Sequence, residues 1–240
     1  YDEPFSLNYS LKNLDGEYLI NKSIVFHSDK YINDHFYEIN SDIIFLENSN
    51  NIEIFWDGGL RPTEEKEDED VLNGYGIVHQ VNETDDIQAS APDKNIQRDI
   101  FKGNTDWVAV RTKYFIAAII SNNTGQYGML SSQNVNFGKR SHTPKYSASI
   151  GFSSNINQIS SSIYIGPLDV DMLSQAETNL EASMDWGFGP ITPISKGVLW
   201  LLKFMHNKLS LNYGLVLLLF AILVHLATRP LTKKSFESSQ

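Results

Sequence analysis

Trp107-Val108-Ala109-Val110-Arg111-Thr112-Lys113-Tyr114-Phe115-Ile116-Ala117-Ala118-Ile119-Ile120 reads as strand, and its second half is apolar at every position. A strand with one wet face alternates apolar and polar residues. One that is apolar on both faces is buried between two layers. Outward from it, FSLNYSL, KSIVFHS, HFYEI, DIIFLE, NIEIFW, YSASIGF and SSIYIG are short runs rich in β-branched and aromatic residues. Leu14-Asp15-Gly16, Asn48-Ser49-Asn50-Asn51 and Asp57-Gly58-Gly59 supply turns between them. In NIEIFW, Ile52 and Ile54 face one way and Glu53 the other. Gly166-Pro167 closes the series. The pattern predicts a mainly β domain of stacked antiparallel sheets over roughly the first 166 residues.

Two polar stretches interrupt it. Glu64 to Asp70 (EEKEDED) is an acidic block that reads as a solvated loop, and residues 82–97, with Pro92, read as a second loop or a weak edge strand. After the strands, Met172, Leu173, Ala176 and Leu180 recur at helical spacing and predict one short helix over 169–182, packed on the end of the sheet.

The formal net charge of −10 excludes the basic footprint of a nucleic-acid binder. Cysteine is absent, so no disulfide or thiolate site exists and the exported part must be held by its core. There is no phosphate loop, nucleophile elbow or HExxH helix, and His27, His35, His79, His142 and His206 lack metal-ligand spacing. They read as satisfied surface or core residues, and no cofactor or metal is expected.

Gly187, Gly189, Pro190 and Pro193 form a hinge-like connector. Beyond it Ile194, Val198, Leu201, Leu202, Met205 and Leu209 share one helical face, with Lys196, Lys203 and Asn207 opposite and Trp200 at the boundary. Such a helix, over 191–209, fits the headgroup plane of a bilayer; packing on the β domain is the alternative. Residues 211–232, LNYGLVLLLFAILVHLATRPLT, then carry no charge until Arg229. That is close to the ~20 residues a crossing helix needs, and Tyr213 with Arg229, Lys233 and Lys234 gives the flanks of a helix leaving on the cytoplasmic side. The alternative is a buried core helix. The reading places 1–210 outside the cytoplasm, a crossing at 211–230, and 231–240 inside. His225 and Arg229 lie four apart on one face of this helix, a titratable and a permanent cation on one stripe. The plain alternative is that Arg229 snorkels to the interface with neutral His225 near it. No signal peptide precedes Tyr1, so an upstream anchor is expected, and the end KKSFESSQ reads as truncated.

Asn212-Tyr213-Gly214, the aliphatic run and Pro230-Leu231-Thr232 followed by lysine resemble the second transmembrane helix of the YidC-type membrane-protein insertases, and Leu201-Leu202-Lys203-Phe204-Met205-His206 resembles their interfacial helix. Asp57-Gly58-Gly59-Leu60, Asp106-Trp107-Val108-Ala109 with Lys113-Tyr114-Phe115, and Tyr164-Ile165-Gly166-Pro167 are similar to landmarks of their large periplasmic domain in Gram-negative members. The resemblance implies a β-supersandwich at 1–186 in the inner membrane's periplasmic space. It implies an insertase and chaperone rather than an enzyme, with a hydrophilic basic groove open to cytoplasm and lipid. Implied partners are nascent inner-membrane proteins, Sec translocon components, the phospholipid bilayer and, through carboxyl-terminal regions outside this chain, the ribosome. The groove position usually held by arginine is His225 here; Arg229, one turn later, is expected to carry the charge and His225 to tune it. Competing readings are a sugar-binding or mutarotase-like sandwich, which needs a His and a carboxylate converging in a cleft, and a structural domain on a single anchor.

Overall fold

The computed structural model describes residues 3–40, 51–61, 63, 73–81, 83–88, 96–136 and 142–237. By its internal contacts the chain divides into two units, Tyr1–Met184 and Asp185–Gln240. The expected DIIFLE strand and the acidic block at 64–70 lie outside the described residues.

Among the described residues the first unit holds ten antiparallel strands: β1 (Phe5–Lys12), β2 (Tyr18–Phe26), β3 (Ile32–Ile39), β4 (Asn51–Trp56), β5 (Tyr75–Gln80), β6 (Glu83–Ile87), β7 (Ile96–Arg111), β8 (Phe115–Asn136), β9 (His142–Ser153) and β10 (Gln158–Pro167). Their order is β1-β2-β3-β10-β8-β7-β5-β6, with β9 also paired to β8 and β4 to β9. The long strands β7 and β8 belong to two layers. Ile116–Ile120 pair with Trp107–Arg111 and with β10, whereas Tyr127–Gln133 pair with Ile96–Lys102 and with β9. The register shifts between Lys102 and Thr105 and again before Trp107; such bulges bend a strand and let one sheet fold over itself. The bend needs glycine. A Cβ on Gly125 would sit 2.9 Å from the Thr105 carbonyl oxygen and 2.7 Å from Ile150, and Gly103 has φ of 133°.

Between the layers lie Val78, Val108, Val110, Ala117, Ile119, Leu130, Ala148, Ile150 and Phe152. Ile77, Trp107, Ala109, Ile116, Ala118, Ile120 and Tyr164 form a second core on the opposite face of the larger layer, together with Leu173 and Leu180. Alternate residues of one strand thus enter two different cores, which is why Ile116–Ile120 has no polar position.

The 107–120 stretch is not one strand. Arg111 ends β7 and Phe115 begins β8. Thr112 closes the hairpin: its N–H donates to the Phe115 carbonyl at 2.8 Å, and its hydroxyl accepts from the Phe115 N–H at 3.3 Å. Residues 83–87 form the edge strand β6, acidic and exposed except at Ile87, as edge strands that resist further pairing are.

The helix expected over 169–182 is two pieces. Helix α1 (Val170–Ser174) is capped by Asp169, whose carboxylate accepts from the Asp171 and Met172 N–H groups. A 3-10 turn follows at Leu180–Ser183. Between them Glu177 and Asn179 take left-handed φ values of 54° and 55°. The break follows from contacts with the sheet: the Trp107 indole N–H donates to the Thr178 carbonyl at 3.1 Å, and the Asn179 side-chain amide lies 3.4 Å from His79 Nε2. The indole thus holds a carbonyl that a continuous helix would have used itself.

The second unit holds helix α2 (Thr192–Leu209) and helix α3 (Tyr213–Glu237). Pro193 stands in the first turn of α2, where its missing N–H is harmless. The crossing expected at 211–230 falls on α3, but among the described residues no helix is both long and apolar enough to cross a membrane.

Candidate functional site

Among the described side chains of the first unit, His27, His35 and His79 each have a hydrogen-bond partner. His27 Nε2–H donates to Asp34 at 2.8 Å, and the Ser162 hydroxyl donates to the other Asp34 oxygen at 2.7 Å. Partial burial pulls the Asp34 carboxyl upward, but the hydrogen bonds from Ser162 and His27 outweigh it and hold it below its ordinary value. His35 is 8% exposed. Burial, reinforced by the Lys22 ammonium and opposed by Asp34, pushes its imidazole down to about 4. His79 stacks on Trp107 at 5.1 Å and donates from Nδ1 to Asp106 at 2.9 Å. Its ring is buried, while the Asp106 carboxylate that it meets is about half exposed. A cleft of about 340 Å³ along β2 and β3 is lined by Tyr18, Ile20, Glu38, Ile39, Asn40 and Gln158, among others, without a histidine. Among the described residues no three His, Asp or Glu side chains cluster to hold a metal. His142 has its side chain outside the described residues.

The second unit collects the residues singled out from the sequence. On α2 the exposed Lys196 holds its ammonium 5.4 Å over the Trp186 ring. Trp200 is 64% exposed and stacks on Phe204, one turn later, at 5.5 Å with 20° between the rings. Lys203 is half-buried. Met205 is buried and Val198, Leu201 and Leu202 are half-buried, whereas Ile194 and Leu209, assigned to the same face, are exposed. Trp200, assigned to the boundary, belongs with Phe204 to an exposed aromatic stripe flanked by Lys196 and Lys208.

On α3, His225 and Arg229 are both exposed, one turn apart. Between them the Thr228 hydroxyl donates to the Val224 carbonyl at 2.8 Å. Pro230, Leu231 and Thr232 have their side chains outside the described residues. Leu215, Leu217, Leu218, Leu219, Ile222, Leu223, Val224 and Leu226 are all exposed. These lie on more than one side of the helix, while Val216 between them is buried. Sequence reasoning missed Phe204 as the partner of Trp200, although their i, i+4 spacing announces it. It also missed Trp186 beneath Lys196, which no helical period connects.

Residues 4–201 match the family model described as the YidC periplasmic domain. The chain belongs to the YidC family. It is 31% identical over 196 residues to a protein named membrane protein insertase YidC from Chlorobium phaeovibrioides, covering 79% of this chain and 33% of that one. A protein of the same name from Prosthecochloris aestuarii is 30% identical over 246 residues, covering 99% of this chain and 40% of that one. The chain therefore spans between a third and two fifths of these YidC relatives. The family match extends past the first unit and ends within α2. A solved structure described as "Crystal Structure Analysis of HI1317" covers 67% of this chain and 60% of its own, at 9% identity and a TM-score of 0.39, a likeness too slight to define the fold.

Proposed function

We propose that this chain is the periplasmic β-supersandwich and first core membrane helix of an inner-membrane protein insertase, and that α2 lies at the outer membrane surface while α3 crosses. The observation that carries the proposal is α3. At 25 residues it is about 37 Å long at 1.5 Å per residue, enough for a hydrocarbon core of about 30 Å. Its aliphatic stretch alone is too short for that distance. The crossing has to include His225 and Arg229, and cations at membrane depth face protein or water rather than lipid. A hydrophilic groove, closed by helices outside this chain, meets that requirement.

In this reading Arg229 carries a permanent charge into the groove and His225 adjusts it. A wet, positively charged half-channel shortens the desolvated path of a client's polar segment and attracts acidic ones. Nothing covalent is required, so the activity is that of an insertase and chaperone rather than an enzyme. The clients are nascent inner-membrane proteins, received alone or from the Sec translocon. The exposed Trp200–Phe204 stripe between Lys196 and Lys208 supports the placement of α2, since aromatics with lysines favour the headgroup zone.

The test is client insertion by the complete protein carrying Arg229→Ala or His225→Ala. The expected result is a loss of roughly tenfold or more for Arg229→Ala, the effect of about 1.4 kcal/mol or more of electrostatic stabilisation, and a smaller loss for His225→Ala. Normal insertion by Arg229→Ala with failure of His225→Ala would reverse the two roles.

A further inference from the structure

Only Ser210, Leu211 and Asn212 join α2 to α3. Helix ends leave backbone groups without helical partners, and three of those at this junction are met by specific contacts. Ser210 turns the chain with a left-handed φ of 52°. Asn212 caps α3: its side-chain oxygen accepts from the Leu215 N–H at 2.9 Å, and its carbonyl accepts from the Val216 N–H at 3.1 Å. With the Leu215 N–H given to that cap, the Leu211 carbonyl loses the donor a helix would have supplied. His206 replaces it, donating from Nδ1 at 2.7 Å. The same imidazole stacks on Tyr213 with centroids 4.0 Å apart and 18° between the rings. Met205 and Val216, on the two helices beside this contact, are both buried.

We propose that His206 is a positioning residue that locks the angle between α2 and α3 by two contacts, the hydrogen bond to the Leu211 carbonyl and the stack on Tyr213. The lock's functional meaning rests on the insertase reading, in which this junction lies where the chain leaves the headgroup zone for hydrocarbon. An unpaired carbonyl there is unfavourable, because little water reaches it. A fixed junction would transmit the surface orientation of α2 to α3, and so to the direction in which His225 and Arg229 face.

The experiment uses the complete insertase in membranes, with cysteines only at two reporter positions; this stretch contributes none of its own. Nitroxide labels at Asn207→Cys and Leu219→Cys report the distance between the helices. His206→Ala is expected to broaden the distance distribution and lower client insertion about fivefold, the effect of one lost hydrogen bond. His206→Asn, whose amide supplies a donor near the position of Nδ1, is expected to recover most of both. Tyr213→Leu, which removes only the stack, is expected to broaden the distribution less. An unchanged distribution in His206→Ala overturns the lock, and so does equal broadening in the Asn and Ala variants. Should His206→Ala fail to accumulate, Tyr213→Leu decides: a distribution as narrow as that of the unaltered protein overturns the two-contact lock. Broadening without any client insertion by the unaltered protein would leave the lock standing and remove the insertase reading.

Discussion

The sandwich and the helical hairpin use the same aliphatic residues in opposite ways. In β7 and β8, Val108, Val110, Ile116, Ile119 and Ile120 are all but sealed from solvent. On α3, Leu217, Leu218 and Ile222 are half or more exposed. In water the first arrangement stabilises a fold by removing apolar surface, at about 25 cal/mol per Å². The second gains nothing from water. It is economical only for a helix whose surroundings are themselves apolar, or which other helices cover. The contrast shows that hydrophobicity alone does not say inside: a residue's surroundings are set by the element that carries it and by what that element meets.

The sharpest way to break this comparison is a matched pair of truncations. Trp107 is fully buried, and its indole also holds the Thr178 carbonyl. Trp107→Ala is expected to destabilise the first unit by about 3–5 kcal/mol in denaturant unfolding. Leu218→Ala on α3 is expected to leave that transition unmoved. If both variants shifted it equally, the division into a water-packed and a lipid-facing unit would be wrong.

A smaller effect sharpens the account of the sandwich alone. His35 folds with its imidazole lowered to about 4, against about 6.5 when unfolded. The unfolded chain therefore binds the extra proton first as pH falls. The stability this neutral histidine contributes is complete above about pH 6.5 and is lost as pH drops toward 4. Allowing for screening at a partly hydrated site, the change is about 1–2 kcal/mol. His35→Phe is expected to flatten that part of the stability profile between pH 7 and 4, and a profile parallel to that of the unaltered protein would refute the assignment.

Much of the sandwich could be read from residues alone because a strand shared between two cores leaves an unmistakable mark. Phe115–Ile120 has no polar position, and NIEIFW alternates cleanly before pairing with β9. The hairpin turn inside 107–120 was hidden because Thr112, Lys113 and Tyr114 contain no glycine, proline or asparagine; Thr112 makes the turn with its hydroxyl instead. The break in the expected 169–182 helix was hidden for a different reason. Its cause is Trp107, some seventy residues away in sequence. On α3, the one-turn spacing of His225 and Arg229 was legible from the sequence, because both fall within one continuous helix. The Lys196–Trp186 and His206–Tyr213 contacts were not, because each spans irregular backbone where no period applies.

The central claim is that α3 carries the chain across a membrane, with the sandwich on one side and the end of the helix on the other. The most direct measurement is labelling of single cysteines in intact cells with a membrane-impermeant maleimide, using the complete protein. Ser174→Cys, exposed at the end of α1, is expected to react from outside the inner membrane. Ser235→Cys is expected to react only after that membrane is opened. Labelling of both positions from the outside would contradict the crossing, and with it the groove in which His225 and Arg229 are placed.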